Sequence, residues 1–185
     1  MEFAQHIFTS TKNQPPRVIS IARLNSSPIG PMWVAVSILG LVAVDWDIPQ
    51  ANFVELLHRR FHAQVVYDGS PTHEPLRQIS EYLAGKRKQF SSPIDLSGMS
   101  SFQVEVLKHT FIIPYGQTRT YKEIAIQVGN PRLARAVGRV EATNPIPIVI
   151  PCHRVLGSDG SLHGYGGPGG IKLKAWLLEL EGAFS

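Results

Sequence analysis

Residues 120–143 read TYKEIAIQVGNPRLARAVGRVEAT, and this stretch decides how the second half of the chain folds. Thr120 stands before the run, and Glu123 follows three residues later at the capping-box spacing, which satisfies two orphan N–H groups at a helix start. A helix is therefore expected over Tyr121–Gln127. Gly129-Asn130-Pro131 makes a turn, and Arg132–Thr143 forms the next helix. Two helices joined by a short glycine-containing turn have the helix-turn-helix outline, which any two packed helices can share. The second helix is more telling. Ala134, Ala136, Gly138 and Ala142 are small, while Arg132, Arg135 and Arg139 are basic. A mid-helix glycine costs about 1 kcal/mol relative to alanine. Two readings fit equally: small side chains that let the backbone press against a phosphate-bearing surface, or Ala134 and Gly138 packing on the preceding helix.

Upstream, Ser101 or a near neighbour caps a helix with Phe102, Val106, Leu107 and Thr110 on one mostly apolar face. Pro114-Tyr115-Gly116 breaks it. Downstream lies Asn144-Pro145-Ile146-Pro147-Ile148-Val149-Ile150-Pro151-Cys152-His153-Arg154-Val155. Its prolines fix φ and stiffen the segment, and Ile148–Ile150 form an apolar wall. Cys152 thus belongs to a rigid, mostly buried pocket beside an imidazole and a guanidinium. Burial raises a thiol pKa, whereas nearby cationic or proton-accepting groups lower it. The plain alternative is a small buried hydrophobe, against which stand the adjacent His153 and Arg154. On an extended strand neighbouring side chains point opposite ways, so a direct Cys–His bond needs a turn or a bridging water.

The first half, residues 1–95, has the texture of a small α/β lobe, and residues 96–185 are mostly helical. Trp33–Val36 and Gly40–Val44 are β-rich runs joined as a hairpin or as adjacent strands. Val65, Val66 and Tyr67 suggest another strand, closed by the turn residues Asp68-Gly69-Ser70-Pro71. Ala51–Phe61 carries Phe53, Val54, Leu56, Leu57 and Phe61 at helical spacing, and a second helix covers Glu74–Ala84, ended by Gly85. His58 and His62 stand i,i+4, a spacing zinc sites use. Without a carboxylate or cysteine to match, a solvated helix face is the simpler reading.

The whole chain has 185 residues, 43% hydrophobic and 17% charged, with a net charge of +4. That composition is globular rather than disordered. The apolar run Met32–Val44 falls short of the about 20 residues that span a bilayer, and the first 17 residues lack the apolar run of a signal peptide. From Tyr115 to Arg154, six basic residues (Arg119, Lys122, Arg132, Arg135, Arg139, Arg154) face two acidic ones (Glu123, Glu141). Such a local excess suits a polyanion, or a mixed solvated surface. The single cysteine excludes an internal disulfide and suits a reducing compartment, cytoplasmic, or nuclear in a eukaryote.

Ile150-Pro151-Cys152-His153-Arg154-Val155 resembles the signature of the O6-alkylguanine-DNA alkyltransferase family. The flanks Ile113–Tyr121, Gly129-Asn130-Pro131, Ala134–Gly138, Asn144–Ile148, Gly164-Tyr165-Gly166-Gly167 and Leu177–Gly182 are similar to it as well. The likeness runs from Phe102 to Gly182 and is looser before that, mainly over Gly30–Val36. It implies an α/β (α+β) fold: a small N-terminal α/β lobe with a ribonuclease H-like β-sheet, then a mostly helical C-terminal lobe with a winged helix-turn-helix. It also implies DNA repair by direct reversal. An alkyl group passes irreversibly, in a single turnover, from O6-alkylguanine (and O4-alkylthymine) in flipped-out DNA to Cys152, without cofactor or metal.

Under that resemblance His153 takes the thiol proton through a water and Glu181 orients the histidine. Tyr121 donates to the guanine ring as the bond breaks. Arg135 enters the duplex where the base has left. Lys122, Asn130 and Ser158 align with further DNA contacts, Asn144 hinges the recognition helix to the active segment, and Arg154 and Tyr165 belong to the pocket. The partner implied is double-stranded DNA, entered by a monomer through its minor groove, about 6 Å wide. Extruding the base costs a few kcal/mol. Two departures stand out. The loop His163–Gly170 is two residues longer than in some family members, and Gly166 replaces a serine that several have, leaving backbone N–H groups near the guanine oxygen. The loop lacks the order of a phosphate-binding P-loop. A non-catalytic lesion-binding protein that recruits other repair machinery is the nearest rival, though such proteins replace the cysteine. A Cys–His hydrolase would explain neither Arg135 nor Tyr121.

Overall fold

The computed structural model describes residues 8–9, 18–166 and 169–183. Most of the first 17 residues, where the sequence predicts no signal peptide, lie outside that set, as do Gly167 and Pro168 of the glycine-rich loop. The chain divides into two compact units, Met1–Met99 and Ser100–Ser185.

The first unit is built on a six-stranded sheet. Its strands are β1 (Phe8–Thr9), β2 (Val18–Leu24), β3 (Met32–Ser37), β4 (Gly40–Trp46), β5 (Gln64–Tyr67) and β6 (Ile94–Asp95), in the order β1-β6-β4-β3-β2-β5. The β2–β3 and β3–β4 pairs are antiparallel and the others parallel. Every residue of β3 is buried, which explains the unbroken apolar run: a central strand covered on both faces needs no polar alternation. The β3–β4 hairpin turns through Ile38-Leu39, and β4 opens at Gly40, whose φ of +144° and close approach to Pro93 leave no room for a side chain; an added Cβ would lie 2.5 Å from the Pro93 carbonyl oxygen.

Helix α1 (Gln50–Phe61) lays Phe53, Leu57 and Phe61 into a core with Ile19, Ile21, Trp33, Ala35, Val42, Ala43 and Ala63. Trp33 stacks on Phe53 and donates its indole N–H to the Ile48 carbonyl. His62 ends the helix in a left-handed conformation, donating its backbone N–H to the His58 carbonyl. Both histidines are exposed, and no metal-binding group of side chains occurs among the described residues. Helix α2 runs from Gly69 to Leu83, five residues longer at its start than the sequence reading. Asp68-Gly69-Ser70-Pro71 is not a free turn: Asp68 caps the helix by accepting from the Ser70 N–H. Pro71 sits in the first turn, where a missing N–H leaves nothing unpaired.

In the second unit α3 (Ser101–Phe111) and α4 (Tyr121–Gln127) both begin with complete capping boxes, Ser100 with Gln103 and Thr120 with Glu123. The cap of α3 is Ser100, the near neighbour of Ser101 that the sequence reading allows. A 3-10 turn, Pro131–Leu133, leads into α5 (Ala134–Ala142), so the second helix of the pair starts two residues later than Arg132. Strands β7 (Arg119–Thr120) and β8 (Val155–Leu156) pair in parallel. Helix α6 (Gly170–Leu180) was not foreseen from periodicity. No helix among the described residues is long and apolar enough to cross a membrane.

Candidate active site

The segment after α5 folds back on itself through one side chain. Asn144 Oδ1 accepts from the Ile146 N–H at 3.0 Å, and its Nδ2 donates to the Ile150 carbonyl at 2.8 Å. The Ile150 N–H donates to the Ile146 carbonyl at 2.9 Å. Closing this loop drives Ile148 to a φ of +74°, a region that β-branched residues rarely enter. Its side chain is fully buried, so surrounding contacts hold a strain of about 1–3 kcal/mol in place. Cys152–Arg154 then form a 3-10 turn. This is the turn that a Cys–His–Arg sequence needs if the three side chains are to serve one site rather than opposite faces.

Cys152 is 4% exposed. Burial, then the Glu141 carboxyl, push its thiol up to about 12, while a hydrogen bond from Asn144 and the Lys174 ammonium pull the other way. The sulfur therefore rests as a thiol at neutral pH and needs a base to become a nucleophile.

His153 is fully buried, with Nε2 3.0 Å from Glu181 Oε1. Burial pushes its pKa down, outweighing Glu181, so the ring is neutral. With Nε2–H donating to the carboxylate, Nδ1 is the basic nitrogen. Glu181, just past α6, also accepts from Arg154 Nε and Nη2 and from the Gly116 N–H. Burial alone would raise this carboxyl, but the hydrogen bonds from His153 and Arg154 hold it well below the usual carboxylate range. Arg154 Nη1 donates to the Ile113 carbonyl at 2.6 Å, and the Tyr115 hydroxyl to the Leu180 carbonyl at 2.8 Å. The segment that breaks α3 is thereby fastened to the end of α6.

Tyr121, first residue of α4, is half-buried. Its ring centroid lies 6.4 Å from that of His163 and 5.7 Å from Lys174 Nζ. Burial, then Glu141 and Cys152, push the phenol up to about 12, which keeps it a hydrogen-bond donor across the physiological range. Gly138 lies beside this ring, since a Cβ there would sit 3.8 Å from two of its carbons. That is ordinary van der Waals contact, so packing on the preceding helix leaves room for a Cβ at this position. Tyr165 is buried. At Gly166 a Cβ would come within 2.5 Å of the Ala142 carbonyl oxygen, so the departure from serine follows from a backbone contact this loop makes with α5.

Lys122, Asn130, Arg135 and Ser158 are exposed, and Asn130 Oδ1 caps its own turn by accepting from the Arg132 N–H. Two buried charges escaped the sequence reading. Lys174 is 1% exposed and donates to the Val155 carbonyl at 2.6 Å and the His163 carbonyl at 3.3 Å. Glu141 is 4% exposed, with Thr110 Oγ1 2.5 Å from its Oε1. A signal for both existed: each sits at helical spacing among apolar residues, Lys174 with Leu177 and Leu178, Glu141 with Val137 and Val140.

Residues 101–183 match the family described as 6-O-methylguanine DNA methyltransferase, DNA binding domain, and residues 21–96 match its ribonuclease-like domain. The chain is 42% identical over 162 residues to a methylated-DNA–protein-cysteine methyltransferase of Methanosarcina barkeri, covering 84% of this chain and 92% of that one. It is 39% identical to an inducible enzyme of the same name from Bacillus subtilis, over 80% and 83% of the two chains. A crystal structure of the Mycobacterium tuberculosis O6-methylguanine methyltransferase superposes with a TM-score of 0.73 at 36% identity, over 90% and 94% of the chains. The Mycobacterium tuberculosis OGT in complex with DNA gives 0.72 at 37%, over 90% and 93%.

Proposed function

The chain belongs to the 6-O-methylguanine DNA methyltransferase family, and from that membership we propose how its residues carry out the transfer. It is a methylated-DNA–protein-cysteine methyltransferase that repairs DNA by moving an alkyl group onto a cysteine of its own. DNA is its partner. The acceptor is Cys152, because the chain has no other cysteine. The observation that carries this assignment is the placement of that thiol one residue before an imidazole bound to a buried carboxylate.

The thiol proton passes to His153 Nδ1, through a water, and the developing imidazolium is held by Glu181. Glu181 stays ionised because Arg154 donates to it with two nitrogens. The sulfur attacks the alkyl carbon attached to the guanine O6. An S–C bond forms as the C–O bond breaks, and the electron pair withdraws into the base. Tyr121 donates a hydrogen bond to that base, offsetting charge where it develops. Undoing the transfer would require the Cys152 thiolate, a poor leaving group, to depart from the alkyl carbon of the thioether, so each molecule acts once.

The basic exposed residues Arg135, Lys122 and Arg132 suit phosphate contact. The small side chains of Ala134 and Ala136 suit a groove about 6 Å wide, which favours entry through the minor groove, with Arg135 filling the place of the extruded base. One chain carries every residue invoked, in keeping with a monomer, and the lone thiol fits a reducing cytoplasm.

Incubation with a duplex containing O6-methylguanine, followed by intact mass measurement, tests the assignment. Wild type gains about 14 Da, because a methyl group replaces the thiol proton for a net gain of one methylene, and Cys152→Ala gains nothing. Lesion-selective binding without mass gain would overturn it in favour of a lesion binder.

A further inference from the structure

Glu141 has no part in the relay above, yet it is buried in the same unit among the same groups. It projects from the apolar face of α5. Around it are Thr110 from α3, Tyr121 from α4, Cys152 in the 3-10 turn and Lys174 from α6, the last three coupled to it through charge. Its Oε1 meets Thr110 Oγ1, and its Oε2 is buried without a hydrogen-bond partner among the described residues. A carboxylate with one oxygen bare in an apolar wall is a costly arrangement, whereas a carboxylic acid is far less so.

Thr110 Oγ1 lies 3.0 Å from the Val106 carbonyl and 2.5 Å from Glu141 Oε1, and its single proton can serve only one of these acceptors at a time. That leaves Glu141 with at most one neutral donor for two buried oxygens, too little to solvate a carboxylate. Burial favours the neutral acid, pushing this carboxyl up to about 8 against the Thr110 bond and Lys174.

We infer that Glu141 is a positioning residue for alkyl transfer that acts through its own proton. Held as a neutral acid, it leaves the Lys174 ammonium to favour the Cys152 thiolate; once ionised, it opposes that thiolate. The inference rests on Cys152 being the alkyl acceptor. Glu141 exchanges its proton only with solvent and forms no bond to the substrate. What changes is the charge beside a sulfur that must itself become negative.

The test compares wild type with Glu141→Gln and Glu141→Leu, both unable to ionise. One readout is the ultraviolet absorbance of the Cys152 thiolate against pH, with Cys152→Ser as blank. The other is the rate of adduct formation on an O6-methylguanine duplex, read by intact mass. The three proteins should behave alike near neutrality. At alkaline pH both variants should form thiolate earlier and react faster than wild type by roughly tenfold, one unit of thiol acidity being tenfold in thiolate. Profiles of identical shape, differing only by a constant factor, would mean a purely structural carboxyl and overturn the inference. A shifted thiolate titration without adduct in any protein would sustain the hold of Glu141 on the thiol while sinking the alkyl-transfer assignment.

Discussion

Arg154 grips Glu181 with two nitrogens at once, Nη2 at 2.7 Å from Oε1 and Nε at 2.9 Å from Oε2, while its remaining nitrogen reaches the Ile113 carbonyl. Both side chains are almost fully buried. The guanidinium therefore does two jobs: it keeps the carboxylate ionised for His153, and it ties the α3 end to the α6 end.

Arg154→Ala leaves a buried carboxylate facing His153 and the Gly116 N–H alone. Breaking a buried pair by removing one partner costs about 3–5 kcal/mol, and chemical denaturation should show a loss of that size. Arg154→Lys should recover little of it, because a point ammonium cannot make the planar fork.

The two buried carboxyls give opposite pH dependences. Glu181 is held below its ordinary value of 4.5, so its contribution is present above that pH and is lost as pH falls through the folded value. Glu141 is raised from 4.5 to about 8, so its contribution is full below 4.5 and is lost as pH rises through about 8. The stability difference between wild type and Glu181→Gln should shrink in acid, and that between wild type and Glu141→Gln should shrink on approaching pH 8. Denaturant midpoints measured across pH give both curves. A wild-type minus Glu141→Gln difference that grew with pH would contradict the neutral-acid assignment.

Ile148 offers an inverted mutational order. Truncating a buried isoleucine to alanine costs about 2–5 kcal/mol and leaves the left-handed backbone in place. Ile148→Gly removes one more carbon yet relieves about 1–2 kcal/mol of that backbone penalty. The glycine variant should equal or exceed the alanine variant in stability, the reverse of the usual ranking.

Arg135 is exposed and makes no side-chain hydrogen bond or ion pair among the described residues. Arg135→Ala should leave thermal stability unchanged while lowering affinity for lesion-containing duplex and flattening its dependence on salt, by about one counterion's worth of slope. Equal affinity for the two proteins would remove Arg135 from the DNA contact.

Much of this was legible in the residues themselves. Thr120 and Glu123 announce the start of α4, and both arms of that capping box form. The start of α2 differs because Asp68-Gly69-Ser70-Pro71 reads as a turn, although Pro71 stands where a helix tolerates proline. The pairing of His153 with Glu181 was accessible only through family resemblance, since nothing local links residues so far apart. Lys174 and Glu141 stayed hidden for a different reason. An isolated charge is ordinarily a solvated one, and only the packing of α3, α5 and α6 buries these two together with the thiol. The left-handed Ile148 was equally invisible, because no propensity favours it and the Asn144 bonds impose it.

Glu181 lies 28 residues beyond His153 in the chain. During synthesis the thiol, the imidazole and the guanidinium are therefore all made before the carboxylate that couples them. At about 5–20 residues per second, that interval lasts on the order of seconds. Throughout it the growing chain holds its one consumable sulfur without a proton relay to arm it. Under the proposed relay, a protein that reacts once therefore gains the means to arm its sulfur only when translation reaches Glu181.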